Sequence, residues 1–81
     1  MFIIVRYYAM LRDVTDQNVE EMEVPQKCNG SGLIEAIIDR YPEVAEFAPY
    51  LRLATDTEYI SRDAILTEGS EISIIPPVSG G

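Results

Sequence analysis

An 81-residue chain with 47% hydrophobic side chains suits one small domain with a single core and is too apolar for a disordered segment. Fourteen acidic against six basic residues give a net charge of −8, which points away from the phosphate-neutralising surface that nucleic-acid binding needs and serves either encounter with basic protein partners or solubility alone. No run approaches the roughly 20 apolar residues of a membrane span, no signal peptide opens the chain, and a single cysteine rules out an internal disulfide, so the expected setting is cytoplasmic.

In chain order, Phe2 to Tyr8 is rich in β-branched and aromatic residues and predicts a first strand. Ala9 to Asp16 is a polar connection that can start with a helical turn. Val19 to Val24 alternates, with Met22 and Val24 on one face and Glu21 and Glu23 on the other, and predicts a half-buried strand closed by Pro25. Asn29-Gly30-Ser31-Gly32 predicts a loop leading into the main helix. There Leu33, Ile34, Ile37, Ile38 and Tyr41 recur at helical spacing, with Glu35, Asp39 and Arg40 facing water. Ser31 is the expected N-cap, with Glu35 placing negative charge near the helix start. Pro42 ends the pattern and can open a short turn through Val44 and Phe47. Leu51 to Ala54 and Glu58 to Ile60 predict short strands around a turn at Thr55-Asp56-Thr57. A further turn at Thr67-Glu68-Gly69-Ser70 precedes the last strand, Glu71 to Ile75. The pattern predicts an α+β fold, a sheet with the main helix across one face.

The most informative segment is the ending Ile74-Ile75-Pro76-Pro77-Val78-Ser79-Gly80-Gly81. Proline fixes φ and stiffens the exit from the fold, and glycine removes every Cβ. The expected organisation is a domain over residues 1–75 followed by an extended tail over 76–81. That tail is a semi-rigid stalk with a thin terminal carboxylate at Gly81, able to enter a channel where side chains would clash. Ordering six flexible residues costs on the order of 6–12 kcal/mol, at 1–2 for each. The two prolines reduce that cost by restricting the free state.

Catalytic groups are sparse. The chain has no histidine, and Gly30-Ser31-Gly32 lacks the rest of a phosphate-binding loop. No metal-ligand set is visible, and the Glu20-Glu21 pair is expected on solvated surface. Cys28 follows Lys27, the chain's one lysine. A relay thiol with a pKa lowered by that neighbour is one reading, and an incidental loop cysteine is the favoured one.

The ending Pro-Pro-Val-Ser-Gly-Gly, preceded by Leu66-Thr67-Glu68-Gly69-Ser70-Glu71-Ile72, resembles the MoaD branch of the MoaD/ThiS sulfur carriers. The opening Tyr7-Tyr8-Ala9-Met10-Leu11-Arg12 is similar to that family's aromatic-aromatic-Ala start, and the likeness spans essentially the whole chain. Ser79 stands where this branch usually has Ala, and Asp56 where many members have Asn. The resemblance implies a ubiquitin-like β-grasp fold, a mixed sheet of four to five strands with one main helix. It implies that a ubiquitin-activating-type adenylyltransferase uses ATP to adenylate Gly81, and that a sulfur donor protein then converts it to a thiocarboxylate. The large subunit of molybdopterin synthase would take the tail and pass the sulfur to a cyclic pterin phosphate precursor. The chain itself would bind no permanent cofactor and supply no catalytic group. By the same resemblance the partner-binding patch falls at Tyr8, Arg12, Tyr59 and Ile75. Two alternatives use the same tail: a ubiquitin-like modifier joined through Gly81 to target lysines, and a sulfur carrier for thiamine or cysteine synthesis.

Overall fold

A computed structural model describes residues 1–77. Its elements in order are β1 (Phe2–Tyr7), α1 (Met10–Thr15), β2 (Val19–Glu23), α2 (Gly30–Arg40), two short 3₁₀ helices (Pro42–Glu46 and Ala48–Tyr50), β3 (Arg52–Ala54), β4 (Tyr59–Ile60) and β5 (Glu71–Ile75). The five strands form one mixed sheet in the order β2-β1-β5-β3-β4, which is the expected α+β, β-grasp arrangement. The first and last strands are parallel neighbours at its centre, in register from Ile4 opposite Glu71 to Tyr7 opposite Ile74. Antiparallel pairing adds β2 on one side and β3 with β4 on the other. Among the described residues no helix is long and apolar enough to cross a membrane.

Strand alternation divides the sheet into two unlike faces. Ile3, Val5 and Tyr7 of β1, Ile72 and Ile74 of β5 and Leu53 of β3 point inward and pack with Leu33, Ile34 and Ile37 of α2 in one core. Each fully buried aliphatic side chain there contributes roughly 1.5–3 kcal/mol. The intervening residues, Ile4, Arg6, Glu71, Ser73 and Ile75, turn to the face that α2 leaves uncovered. The polar connection after β1 is more regular than expected: α1 buries Leu11 in the core, and the Thr15 hydroxyl donates to the Leu11 carbonyl at 2.7 Å.

Two sequence expectations for α2 are corrected. The helix begins at Gly30, and its cap is Asn29, whose Oδ1 accepts the Gly32 N–H at 2.8 Å; Ser31 already lies inside. The reason is tertiary. The Gly30 and Ser31 N–H groups donate to the carbonyls of Ala64 (3.2 Å) and Arg62 (3.0 Å), so orphan donors of the first turn are satisfied by a distant segment. Contact is so close that a Cβ on Gly30 would collide with Leu53 Cδ1 and lie 3.0 Å from Arg62 Cα. With the start moved back, Glu35 falls beyond the first turn, which holds no acidic residue.

Glu20 is the larger correction. It was expected on solvated surface, yet its side chain is only 9% exposed. Register with Val5 turns it toward the core, where Oε2 accepts the hydroxyls of Tyr7 (2.6 Å) and Tyr41 (2.9 Å), while Oε1 lies 3.5 Å from Arg40 Nε. The two tyrosine rings meet edge to face, with centroids 6.2 Å apart. One carboxylate thus joins β1, β2 and the end of α2. Glu20→Ala leaves two hydroxyls without their acceptor and is expected to remove about 2–3 kcal/mol of stability, measured by urea unfolding.

Burial, reinforced by the hydrogen bond and negative charge of Glu20, pushes the Tyr7 hydroxyl well above the usual tyrosine range. The folded chain keeps a proton that the unfolded chain releases above about pH 10. The contribution is therefore intact below that pH and is lost as pH rises beyond it, by about 1.4 kcal/mol per pH unit for this group. Tyr7→Phe is expected to flatten the alkaline limb of stability against pH by that slope, in denaturant titrations on either side of pH ~10.

Candidate functional site

Because β5 runs parallel to β1 and antiparallel to β3, its end at Ile75 lies between the segment after β1 and the start of β3 at Arg52, and its start at Glu71 lies toward the β3–β4 turn. An open cavity of about 700 Å³ runs along the open face of β5, past Glu71, Ser73 and Ile75 to the tail root. Tyr8 and Ala9 line it on the β1 side, Thr55 and Asp56 on the turn side, and Ile75, Pro76 and Pro77 along the chain itself. The structure thus brings Tyr8 and Ile75, two of the four expected docking residues, together with the first two tail residues. Val78, Ser79, Gly80 and Gly81 lie outside the described residues.

Arg12 is held against this wall rather than within it. Its Nε donates to the Tyr7 carbonyl at 3.3 Å, and its guanidinium carbon stands 5.8 Å from the centroid of the Tyr8 ring, within cation–π range. That return is possible because the chain turns sharply after β1. Ala9 has φ 51° and ψ −130°, the geometry of the first central position of a type II′ turn, and the Leu11 N–H closes it on the Tyr8 carbonyl at 3.0 Å. Glycine is the residue that this geometry favours.

Tyr59 sits apart from the cavity, on β4 opposite Ala54, and is 56% exposed. The Arg52 guanidinium covers its ring at 4.0 Å, and Arg52 is itself the register partner of Ile75. Tyr59 therefore extends the open face outward from the tail root. Arg6 pairs with Glu71 at 3.0 Å on the same face. Three of the six basic residues, Arg6, Arg12 and Arg52, thus stand on the tail side of a chain whose net charge is −8. In the β3–β4 turn it is Thr55, not Asp56, whose side chain organises the backbone: its hydroxyl accepts the N–H groups of Thr57 (3.4 Å) and Glu58 (3.3 Å).

Sequence reasoning missed Ala9, Arg52 and Thr55. Ala9 lay in plain view inside Tyr7-Tyr8-Ala9, but its backbone angles have no local signature. Strand alternation could have placed Arg52 beside Ile75 once the pairing was known, and Thr55 had the composition of a side-chain-capped turn.

Cys28 lies on the opposite side, buried beneath the start of α2 with its thiol directed to the Asn29 carbonyl at 3.3 Å. Burial, with the Glu35 charge added, pushes the thiol up, against the direction that a relay beside Lys27 requires. Cys28 is expected to react with iodoacetamide at pH 8 far more slowly in the native chain than in urea, followed by mass spectrometry of the alkylated peptide.

The chain matches the ThiS family over residues 5–81. It is 32% identical over 80 residues to the human protein named molybdopterin synthase sulfur carrier subunit, covering 95% of this chain and 91% of that one. Among solved structures it is similar to a putative molybdopterin converting factor subunit 1 from Pyrococcus furiosus (TM-score 0.85, 27% identity, 96% and 99% coverage). SAMP1 from Haloferax volcanii superposes equally well (TM-score 0.85, all of both chains), but at 17% identity this shows the fold alone. So does a complex of subunits 1 and 2 of molybdopterin-converting factor from Helicobacter pylori (TM-score 0.66, 22% identity, all of each chain). The fold and its exposed tail root define a small ubiquitin-like β-grasp protein. Within that class, the chain belongs to the ThiS family.

Proposed function

We propose that this chain is the sulfur carrier subunit of a molybdopterin synthase, with Gly81 as the atom-transferring end. The observation that carries the reading is whole-length likeness that includes the tail: the family match runs through Gly81, and the human sulfur carrier subunit aligns over 95% of the chain. A carboxylate resists nucleophiles because of its negative charge, so it must first be activated. An adenylyltransferase joins AMP from ATP to the Gly81 carboxyl and releases pyrophosphate. A donor persulfide then attacks the carbonyl through its terminal sulfur, and AMP leaves with the bonding pair. Cleavage of the resulting acyl disulfide by a thiol leaves a thiocarboxylate on Gly81.

The large subunit of the synthase would receive that tail and direct its sulfur to a cyclic pterin phosphate precursor. Tyr8, Arg12, Tyr59 and Ile75 are the proposed docking residues, on the ground that they surround or flank the root of the tail. A preformed apolar cavity at that root supplies burial to offset the ordering of residues 76–81. The absence of histidine from the sequence suits a subunit whose partners provide the acid–base groups.

The test is mass spectrometry of the C-terminal peptide from protein made in its native cell. The expected result is a sulfur-for-oxygen replacement mapped to Gly81 by fragmentation. Mapping is essential, because the chain has three methionines whose oxidation is nearly isobaric with that replacement. Isopeptide links from Gly81 to other proteins, without a thiocarboxylate, would instead establish a protein modifier. A plain carboxylate in the presence of the activating enzyme refutes both.

A further inference from the structure

We infer that the methyl group of Ala9 is a docking contact, held at a glycine-type backbone position because the partner that receives the tail packs against it. Ala9 adopts φ 51° and ψ −130°, where an L side chain is strained and glycine is not. Such strain persists in folded chains when something offsets it. Within this chain the methyl contributes no compensating burial: Ala9 is exposed and belongs neither to the core nor to the apolar residues packed on it. Its side chain does not cap α1 either. What it does line is the cavity at the tail root, together with Tyr8, Pro76 and Pro77.

The occupant of that cavity follows from where the described chain stops. Four residues follow Pro77, and four residues span at most ~14 Å when fully extended. Any protein that holds the Gly81 carboxyl must therefore approach to within that distance of Pro77, close enough for a partner of ordinary interface size to reach the cavity. The cavity is apolar at Ala9, Ile75, Pro76 and Pro77, aromatic at Tyr8 and polar at Thr55, Asp56, Glu71 and Ser73, so the group that meets the Ala9 methyl is an apolar side chain of the tail-receiving subunit. The inference rests on the sulfur-carrier reading for the identity of that subunit, the large subunit of the synthase.

The strain and the contact make opposite demands, which separates a docking role from a structural one. Ala9→Gly is expected to raise the melting temperature by about 4–8 °C through relief of the backbone. It is also expected to weaken binding to the large subunit about fourfold, the loss of one buried methyl group. Binding is measured by calorimetry with the full-length chain. Higher thermal stability with lower affinity excludes general loosening as the cause. Ala9→Ser keeps the Cβ and its strain but places a hydroxyl on the apolar wall, so it is expected to weaken binding with no gain in melting temperature.

Unchanged or tighter binding by the glycine variant overturns the inference. So does a fall in its melting temperature, or a serine variant that binds as tightly as the parent. If the unaltered chain forms no complex with the large subunit, the sulfur-carrier reading fails and the inference fails with it. A normal parent complex with an indifferent glycine variant removes the inference alone.

Discussion

Parallel pairing of β1 with β5 is the constraint from which the rest of the structure follows. It places the two ends of the chain side by side at the centre of the sheet, where each strand gains neighbours on both edges. Parallel neighbours cannot be joined by a tight turn. The intervening chain must cross over, and α2 makes that crossing while covering the inward face with Leu33, Ile34 and Ile37. The same pairing aims the end of β5 toward the segment that follows β1. Tyr8 and Ala9, 68 residues upstream of Pro76 and Pro77 in the chain, line the same cavity as those prolines. A tail exit near the first strand is thus a consequence of sheet order.

Polar groups reinforce this framework where apolar packing alone would leave it loose. Glu20 draws the hydroxyls of Tyr7 and Tyr41 to one carboxylate oxygen and so fixes β2, a sheet edge, against β1 and α2. Arg62 plays a comparable part at the other side, donating to the carbonyls of Ala48 and Leu51 while its own carbonyl accepts from Ser31. Buried polar groups of this kind stabilise only when fully partnered. Among the described residues, no buried side-chain nitrogen or oxygen lacks a partner.

These devices lie away from the open face, and that separation suits a carrier. The open face is built from shallow features: a turn closed at Tyr8, an arginine within cation–π range of each of two tyrosines, and the exposed ring of Pro77. Pre-stacked side chains have already lost rotamer freedom, so less is lost when a partner covers them. Arginines on this side also lower the local effect of an otherwise acidic chain, which leaves the face able to meet surfaces of either sign.

Short-range regularities were enough to reveal much of this. Alternation in Phe2–Tyr7 and Glu71–Ile75 identified strands and their inward residues, and 3.6-residue spacing identified the apolar face of α2. Each depends on neighbours within a turn or two, so each can be read from residue order. Only the tertiary structure buried Glu20, because its partners lie 13 and 21 residues away and nothing local distinguishes it from Glu21. Only the tertiary structure moved the start of α2 to Gly30, through carbonyls more than 30 residues downstream. The angles at Ala9, and the cavity that gathers Tyr8, Thr55 and Ile75, were likewise decided by which strands became neighbours. Periodicity is a property of one segment; partners, strain and cavities arise from the choice among segments, made by the free energy of the whole fold.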